Sequence, residues 1–303
     1  MSTRDTNSGG VSTGGTNSGG VGTGGTNSGG VNSVTVNPVN VNSGTVNSGT
    51  VTGLSLAPVK AMRVVAVDEI DLGPLGARGN RTFCVIDDRG RMVNGKSVAS
   101  LQTVLAEYDA EAGELGLVFA DGTEVRAALA YGDTVRIRFF AHESGARELR
   151  GPWSEALSAQ LGRPLRLVQP EIGVDRGRKG VASLISLGSL RRLAQEAGEA
   201  TVDPRRFRML IEIDGVPAHA EDGWVGHRVR VGGALLAIHG HVGRCLVTSR
   251  DPLTGQVTLP TLDLLRDYRR EVTSTEPLPF GIHGEVLEPG TVRVGDAVVL
   301  VDG

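Results

Sequence analysis

Hydrophobic and polar positions alternate in short runs along most of the chain, and turn residues separate the runs. Residues 134–139 follow a period of two, Thr-Val-Arg-Ile-Arg-Phe, which predicts a half-buried strand. Residues 115–119 and 123–128 flank Asp121-Gly122, a pair typical of β-hairpins. Because such runs recur and long helices are few, the pattern predicts a mainly β fold of barrels or sandwiches, not a doubly wound sheet.

Three short segments are predicted as helices instead, one that begins at Pro152 and ends at Leu161-Gly162, and two at residues 187–197 and 261–268. The second follows Ser186, a residue type favoured at N-caps, and ends before Gly198, a residue type favoured after helix ends. The other strand-like runs are residues 62–67, 81–86, 91–93, 209–213, 225–231, 234–238, 245–249, 284–287, 291–294 and 297–301.

Residues 1–52 have a different composition. The segment TNSGGV recurs from Thr6 with a period of ten residues, Arg4 and Asp5 are the only charges before residue 53, and aromatic residues are absent. Such a tract cannot bury enough apolar area to offset its ordering entropy, so it predicts a low-complexity disordered tail. Whether the native protein carries this repeat is a separate hypothesis, which intact-mass measurement would test.

The rest of the chain, about 250 residues, suffices for one large or two small domains. A net charge of −3 over 303 residues gives no case for nucleic acid as a partner. No run is apolar enough to span a bilayer, and the N-terminus lacks the regions of a signal peptide. The two cysteines, Cys84 and Cys245, have unlike neighbours and do not suggest a disulfide framework. We therefore expect a cytoplasmic, reduced protein with no membrane partner.

Cys245 carries the clearest chemical signal. It follows Arg244, whose charge favours a thiolate, and it comes shortly after His239 and His241. A thiolate is both a soft metal ligand and a nucleophile. The alternative, a small buried hydrophobe, holds for most free cysteines and is our interpretation of Cys84, which lies between two apolar residues.

Several cations precede strands and would suit one anionic ligand if the fold brought them together. Arginine binds phosphate through a planar, bidentate fork, although isolated arginines are usually solvated surface groups. The histidines lack HExxH or CxxC spacing, which argues against a zinc site. The candidate set for the anion is Lys60, Arg81, Arg208 and Arg244.

Residues 53–303 also resemble a known family, the MOSC proteins, named for the molybdenum cofactor sulfurase C-terminal domain. No single motif is specific, but their order along the chain is. The segments that carry the resemblance are Pro58-Val59-Lys60, Asn80-Arg81-Thr82-Phe83, Asn94-Gly95-Lys96, Glu221-Asp222-Gly223-Trp224, Arg244-Cys245-Leu246-Val247-Thr248 with Asp251-Pro252 and Thr254-Gly255, Phe280-Gly281, and residues 289–296.

The resemblance implies two β-barrel domains with a few short helices, a MOSC N-terminal β-barrel over 53–150 and a MOSC domain over 151–303. It implies a molybdenum cofactor (molybdopterin) between them, with Cys245 as the catalytic residue and metal ligand. The residues that it implies as cofactor ligands are Lys60, Arg81, Ser186, Ser189, Arg208 and Arg244.

The resemblance further implies an oxidoreductase that reduces N-hydroxylated or similar small molecules. The chain has no flavin or iron–sulfur motif, so a separate electron-donor protein would be needed. Two alternatives stay open, a sulfur carrier that uses a Cys245 persulfide and a non-catalytic carrier of the cofactor. The family is also associated with pyridoxal phosphate binding.

The chain departs from its relatives at three places. Met209 and Leu210 stand where relatives often have Pro-Asn, Ala61 stands where a serine commonly follows the lysine, and Pro217 stands where amidoxime reducers carry an acidic residue near the metal.

Overall fold

The computed structural model describes residues 48–139, 142–171 and 177–301. The predicted tail lies outside these ranges as far as residue 47. Residues 48–52, which composition assigned to the tail, instead form the first half of a strand whose Val51 and Leu54 are buried. The predicted tail boundary at residue 52 therefore falls within that strand.

The secondary structure of the described ranges is mostly short strands, with three α-helices. The strands are β1 Ser48–Leu56, β2 Val65–Val67, β3 Glu69–Gly73, β4 Gly76–Ala77, β5 Cys84–Asp87, β6 Met92–Val93, β7 Leu105–Asp109, β8 Glu114–Val118, β9 Glu124–Ala128, β10 Ala130–Phe139, β11 His142–Arg150, β12 Leu165–Pro170, β13 Ala182–Ser186, β14 Ile211–Asp214, β15 Arg228–Val231, β16 Ala234–Gly243, β17 Pro279–Glu288, β18 Gly290–Arg293 and β19 Ala297–Leu300. The helices are α1 Trp153–Leu161, α2 Leu187–Ala197 and α3 Thr261–Tyr268, with 3-10 helices at Ala99–Thr103, Arg178–Gly180, Pro204–Phe207, Ala220–Trp224 and Leu246–Ser249.

Seven strands form a closed barrel. Their order is β14, β13, β17, β16, β15, β19 and β1, and β1 pairs with β14 to close the ring. β13 and β14 run parallel and are joined by the crossover helix α2, as parallel neighbours require. The side chains that fill the barrel include Leu54, Ile213, Leu236, Ile282 and Val298, which alternate with outward-facing residues.

Two further sheets, β10-β11-β12-β5-β6 and β7-β8-β9, share a second core. Phe83, Leu117, Leu149 and Trp153 are buried in it. The indole Nε1 of Trp153 donates to the carbonyl oxygen of Leu115 at 2.9 Å, which holds α1 against β8. A mainly β fold with a few short helices is thus confirmed, and the predicted limits 53–150 and 151–303 stay predictions.

The three predicted helices are confirmed, and their bounds agree with the prediction to within one residue. In α2, the Ser186 hydroxyl accepts a hydrogen bond from the Ser189 backbone N–H at 3.0 Å, and Gly198 ends the helix with a φ of 68°. These are the local signals that the sequence displayed.

The predicted strand over residues 245–249 is wrong, since Leu246–Ser249 is a 3-10 helix. β16 ends at Gly243, and both the backbone N–H and the hydroxyl of Thr248 donate to the carbonyl oxygen of Cys245 at 3.0 Å. Leu246 is 40% exposed, so the apolar run does not alternate between core and solvent as a strand would. The turn places Cys245 at the end of a barrel strand.

Candidate functional site

A cavity of about 500 Å³ lies where the Lys60–Arg81 region meets one end of the barrel. Residues from distant parts of the chain line it. Five of the seven predicted site residues are among them, Lys60, Arg81, Arg208, Arg244 and Cys245. The convergence that sequence alone could not establish is therefore present in the fold.

Backbone hydrogen bonds place Lys60 and Arg81 side by side. The Lys60 N–H donates to the carbonyl oxygen of Phe83 at 2.8 Å, and the Arg81 N–H donates to that of Ala57 at 2.8 Å. Val59 and Phe83 form a parallel bridge between the two segments. The motifs around Lys60 and Arg81 are thus one structural unit, with both side chains in the cavity wall.

Three residues at or beside the site have left-handed backbone conformations. The φ angles are 73° at Ala61, 52° at Arg81 and 55° at Arg208. Such angles are unfavourable for residues other than glycine and cluster at functional sites, where surrounding structure holds them. One such restraint is direct, because Arg81 Nη2 donates to the carbonyl oxygen of Arg208 at 3.1 Å.

Cys245 is half-buried and follows directly on the buried Arg244. Two residues before it, Gly243 has a Glu276 carboxylate oxygen and the Pro277 carbonyl oxygen 2.5 Å and 3.1 Å from where a Cβ would be. Any larger residue at position 243 would push the wall that carries Glu276. The lack of a side chain at Gly243 therefore leaves room for the wall beside the thiol.

The guanidinium of Arg244 is held by protein acceptors. Its Nε donates to the Phe280 carbonyl oxygen at 2.7 Å, and Nη2 donates to the same oxygen. Nη1 donates to the Phe207 carbonyl oxygen at 3.1 Å, and Nη2 approaches Met209 Sδ at 3.0 Å. Arg244 is therefore a tightly packed part of the cavity wall.

Six further polar residues line the cavity, and sequence reasoning assigned none of them to the site: Asn80, Ser183, Arg206, Thr248, Glu276 and His283. Asn80 and Arg206 lie in stretches that drew attention for their neighbours. Arg206 Nη2 donates to Thr258 Oγ1 at 2.7 Å, tying the segment after Cys245 to the cavity. Glu276 and His283 follow no motif, and only the fold brings them here.

Ser186 and Ser189 are not among the cavity-lining residues. Both are fully buried, and their hydroxyls donate to the two carboxylate oxygens of Glu221 at 2.8 Å and 2.7 Å. The Ser189 hydroxyl also accepts from the His219 N–H at 2.8 Å. Burial raises the pKa of Glu221 above its ordinary value, with these hydrogen bonds opposing it. The two serines hold a buried carboxylate at the start of α2.

The departures from the family are spread around the site. Leu210 lines the cavity, Met209 lies behind it against Arg244, and Pro217 is exposed and is not among the lining residues.

Within the described ranges, no three His, Cys, Asp or Glu side chains form a group that could hold a metal ion. The histidines near the site have separate partners. His239 Nε2 lies 3.3 Å from Glu285, His241 Nε2 lies 3.5 Å from Asp222, and His283 Nδ1 donates to the Lys179 carbonyl oxygen at 3.0 Å. A metal at Cys245 would thus need most of its ligands from a bound organic group.

The chemistry of the cavity fits such a group. Five cations and one carboxylate, Glu276, line a volume within the usual range for a small-molecule site. Clustered cations favour an anionic ligand, guanidinium forks suit phosphate, and a thiolate suits a soft metal. An anionic, phosphate-bearing cofactor that carries its own metal ligands satisfies all three features.

Comparison with known families agrees with the motifs. Residues 174–299 match the MOSC domain, and residues 48–157 match the MOSC N-terminal beta barrel domain. The chain belongs to the MOSC domain proteins, and the resemblance inferred from its motifs is confirmed.

Individual relatives span both domains. Mitochondrial amidoxime-reducing component 1 of Xenopus laevis is 29% identical over 285 residues, covering 83% of this chain and 82% of the relative. Its Homo sapiens namesake is 26% identical over 283 residues, 83% of each chain. Among solved structures, the YUAD protein of Bacillus subtilis aligns with a TM-score of 0.40 at 14% identity, covering 84% of this chain and 95% of its own.

None of the helices in the described part of the chain is long and apolar enough to cross a membrane.

Proposed function

We propose that this protein binds a molybdenum cofactor in the cavity and uses it to reduce N-hydroxylated small molecules. The observation that carries the proposal is the presence of Cys245 in the same cavity as Lys60, Arg81 and Arg208. These residues come from three distant parts of the sequence. Together they suit an anionic metal cofactor, because the thiolate would bind the metal and the cations would bind the anionic groups.

The protein's own residues would bind the cofactor and orient it in the cavity. Lys60 supplies a point charge, and Arg81 and Arg208 supply planar donors, for the phosphate and pterin of the cofactor. Cys245 supplies one thiolate ligand to the metal. The cofactor, when bound, supplies the redox chemistry.

The choice of substrate class is supported by the relatives. Proteins named amidoxime-reducing components match more than four fifths of this chain. Amidoximes are N-hydroxylated compounds, and their reduction takes two electrons and two protons and releases water. We propose that a separate electron-donor protein delivers the electrons.

Two earlier expectations stay predictions. The chain is expected in the cytoplasm, whereas the relatives are mitochondrial by name. Pyridoxal phosphate, the other ligand associated with the family, is tested by none of the described contacts.

The test is expression of the full chain in a host that makes the molybdenum cofactor. We expect bound molybdenum by elemental analysis, a fluorescent pterin after oxidation, and reduction of benzamidoxime with a chemical or protein electron donor. Cys245→Ala should lose the activity and most of the metal, and Cys84→Ala, which changes a buried thiol, should retain both.

The alternatives give different results. Cofactor without turnover by any donor would favour a carrier. A cyanide-labile sulfur on Cys245 without molybdenum would favour sulfur transfer. Full molybdenum occupancy in the Cys245→Ala variant would refute the assignment of this residue as the metal ligand.

A further inference from the structure

Arg244 is more buried than the other cations of the cavity, and most of its donors point at protein acceptors. A guanidinium has five N–H donors, and four of those of Arg244 are directed at protein acceptors. The residue is only 8% exposed, whereas Lys60, Arg81 and Arg208 are half-buried. Its guanidinium carbon also lies 5.2 Å from the centroid of the Phe207 ring.

The acceptors belong to two different walls. Phe207 ends the 3-10 helix that precedes Arg208, and Phe280 lies at the start of β17. Arg244 spans the two carbonyl oxygens, and the next residue in the chain is Cys245. A side chain in this position fixes the spacing of the walls and the direction in which the chain leaves β16.

The surroundings of Arg244 are built for this arrangement. At Gly281, whose φ is 75°, a Cβ would lie 2.8 Å from the Leu184 carbonyl oxygen and 3.2 Å from Arg244 Nη2. Glycine thus leaves the space that the guanidinium needs. The thioether of Met209 packs beside Gly281, with its methyl carbon 2.9 Å from the position of that Cβ, and its sulfur accepts from Nη2.

A second buried arginine supports the same wall. Arg269, which is 4% exposed, donates from Nε to the Pro279 carbonyl oxygen at 2.7 Å. Its Nη2 donates to Asp222 Oδ2 at 2.7 Å, which balances the buried charge. The carbonyls of Pro279 and Phe280 are therefore each bound by a different arginine.

We propose that Arg244 is a positioning residue that sets the location of the Cys245 sulfur, and that anion binding is the work of Lys60, Arg81 and Arg208. This inference rests on the proposed function for the use of the sulfur and the anion site. It assigns Arg244 a role different from the one its place in the motif implies.

The test compares three variants of the full chain, prepared without cofactor, with inorganic pyrophosphate as the anion probe. Arg244→Lys keeps the charge but cannot span two carbonyls. We expect it to bind pyrophosphate within about threefold of the wild type, since Lys60, Arg81 and Arg208 are intact. Arg81→Gln should bind it roughly tenfold more weakly, the scale of one charge-assisted pair.

The second readout is the rate at which iodoacetamide alkylates Cys245. We expect Arg244→Lys to change this rate, because the thiol moves relative to the cavity wall. Met209→Leu removes the sulfur acceptor and keeps the guanidinium, and it should change the rate in the same direction by a smaller factor. A general loss of stability would not by itself alter the alkylation rate of the thiol in a chain that is still folded.

The third measurement is an NMR experiment on the wild-type chain, in which variants serve only to assign the arginine signals. In the wild-type chain, the Nε–H resonance of Arg244 should be protected from solvent exchange before any ligand is added. It should stay unmoved on pyrophosphate titration while the Arg81 and Arg208 signals shift. This result decides the matter even if Arg244→Lys fails to fold.

The inference is overturned if Arg244→Lys weakens pyrophosphate as much as Arg81→Gln and leaves alkylation unchanged, or if the Arg244 resonance shifts with the ligand. Absence of pyrophosphate binding to the wild type would count against the proposed function instead. In that case the alkylation rates and the exchange protection still decide the role of Arg244.

Discussion

Arg81 Nη2 donates a hydrogen bond to the carbonyl oxygen of Arg208 at 3.1 Å, across 127 residues of sequence. Both residues have left-handed backbone conformations, and both line the same cavity. The bond joins the segment before β5 to the segment before β14. It ties the Arg81 side chain to the backbone that carries the Arg208 side chain.

This relationship predicts that Arg81→Lys will be more damaging than a change of charge would suggest. Lysine keeps the positive charge but lacks the planar fork whose separated donors reach the carbonyl and a ligand in fixed directions. We expect a loss of about 1–2 kcal/mol in the free energy of unfolding and a lower pterin content after expression. Denaturant titration and pterin fluorescence measure the two effects. Arg136→Gln, at a strongly exposed arginine, is the control and should change neither.

Gly243→Ala tests the shape of the wall beside the thiol. The new Cβ would lie 2.5 Å from a Glu276 carboxylate oxygen and 3.1 Å from the Pro277 carbonyl oxygen. We expect about 1–3 kcal/mol of destabilisation from overpacking, measured by thermal unfolding. Gly223→Ala, where nothing lies within 4 Å of the added carbon, should cost much less.

The same site allows a rescue experiment. Glu276→Ala removes the carboxylate that the new methyl group at position 243 would contact. The Gly243→Ala/Glu276→Ala double variant should therefore recover part of the lost stability. Strict additivity of the two changes would contradict the contact.

Ser189→Ala separates a structural role from cofactor binding. The change leaves Glu221 Oε1 with one fewer donor and the His219 N–H without its acceptor. We expect about 1–3 kcal/mol of destabilisation for these buried groups, with pyrophosphate affinity unchanged. Ser100→Ala, at an exposed serine, is the matched control. A selective loss of anion binding in the folded variant would return Ser189 to the site.

His219 predicts a specific pH dependence. Burial, and secondarily the charge of Arg269, lowers its pKa from 6.5 to about 4. The unfolded chain therefore binds this proton more tightly than the folded chain between those values. The stability that the neutral imidazole of His219 contributes to the folded state is fully present above pH 6.5. It is lost as the pH falls toward 4.

His219→Gln cannot take up the proton, so its melting temperature should fall less over that pH interval than that of the wild type. His142→Gln, at an exposed histidine, should keep the wild-type slope. Parallel profiles for the wild type and His219→Gln would show that the proton is bound elsewhere.

The two thiols should differ sharply in reactivity. Cys84 is fully buried, and burial raises its pKa to about 12 although the charge of Lys60 opposes the shift. A disulfide reagent should therefore titrate one thiol in the native chain and two after unfolding. Cys245→Ala should abolish the native reaction, and Cys84→Ala should leave it unchanged. Two fast thiols in the native state would contradict the burial of Cys84.

Local signals in the sequence were sufficient for the helices and for most strands. α2 begins and ends where Ser186 and Gly198 predict, because capping depends on residues adjacent in sequence. The segment after Cys245 was predicted as a strand because its residues are apolar. Its 3-10 turn is fixed by bonds from Thr248 to the Cys245 carbonyl, which hydropathy does not encode.

The site was predicted in part for a similar reason. Residue type and motif order identified Cys245 and the cations Lys60, Arg81, Arg208 and Arg244, since both signals can be read from the sequence alone. Glu276 and His283 enter the cavity only through tertiary packing. Ser186 and Ser189 carry the right atoms, but their hydroxyls face Glu221, and only the fold reveals which partner a hydroxyl finds.

The closure of the barrel by β1 has a consequence for biosynthesis. Ser48 pairs with Val299, so a strand made early must wait for one that emerges from the ribosome some 250 residues later. Until then the edges of β1 and β15 that β19 will cover are unpaired, and the nascent chain is exposed to wrong pairing. Removal of β1 would leave β14 and β19 each with an unpaired edge, so residues 57–303 expressed alone should aggregate unless a Ser48–Leu56 peptide is supplied to fill the gap.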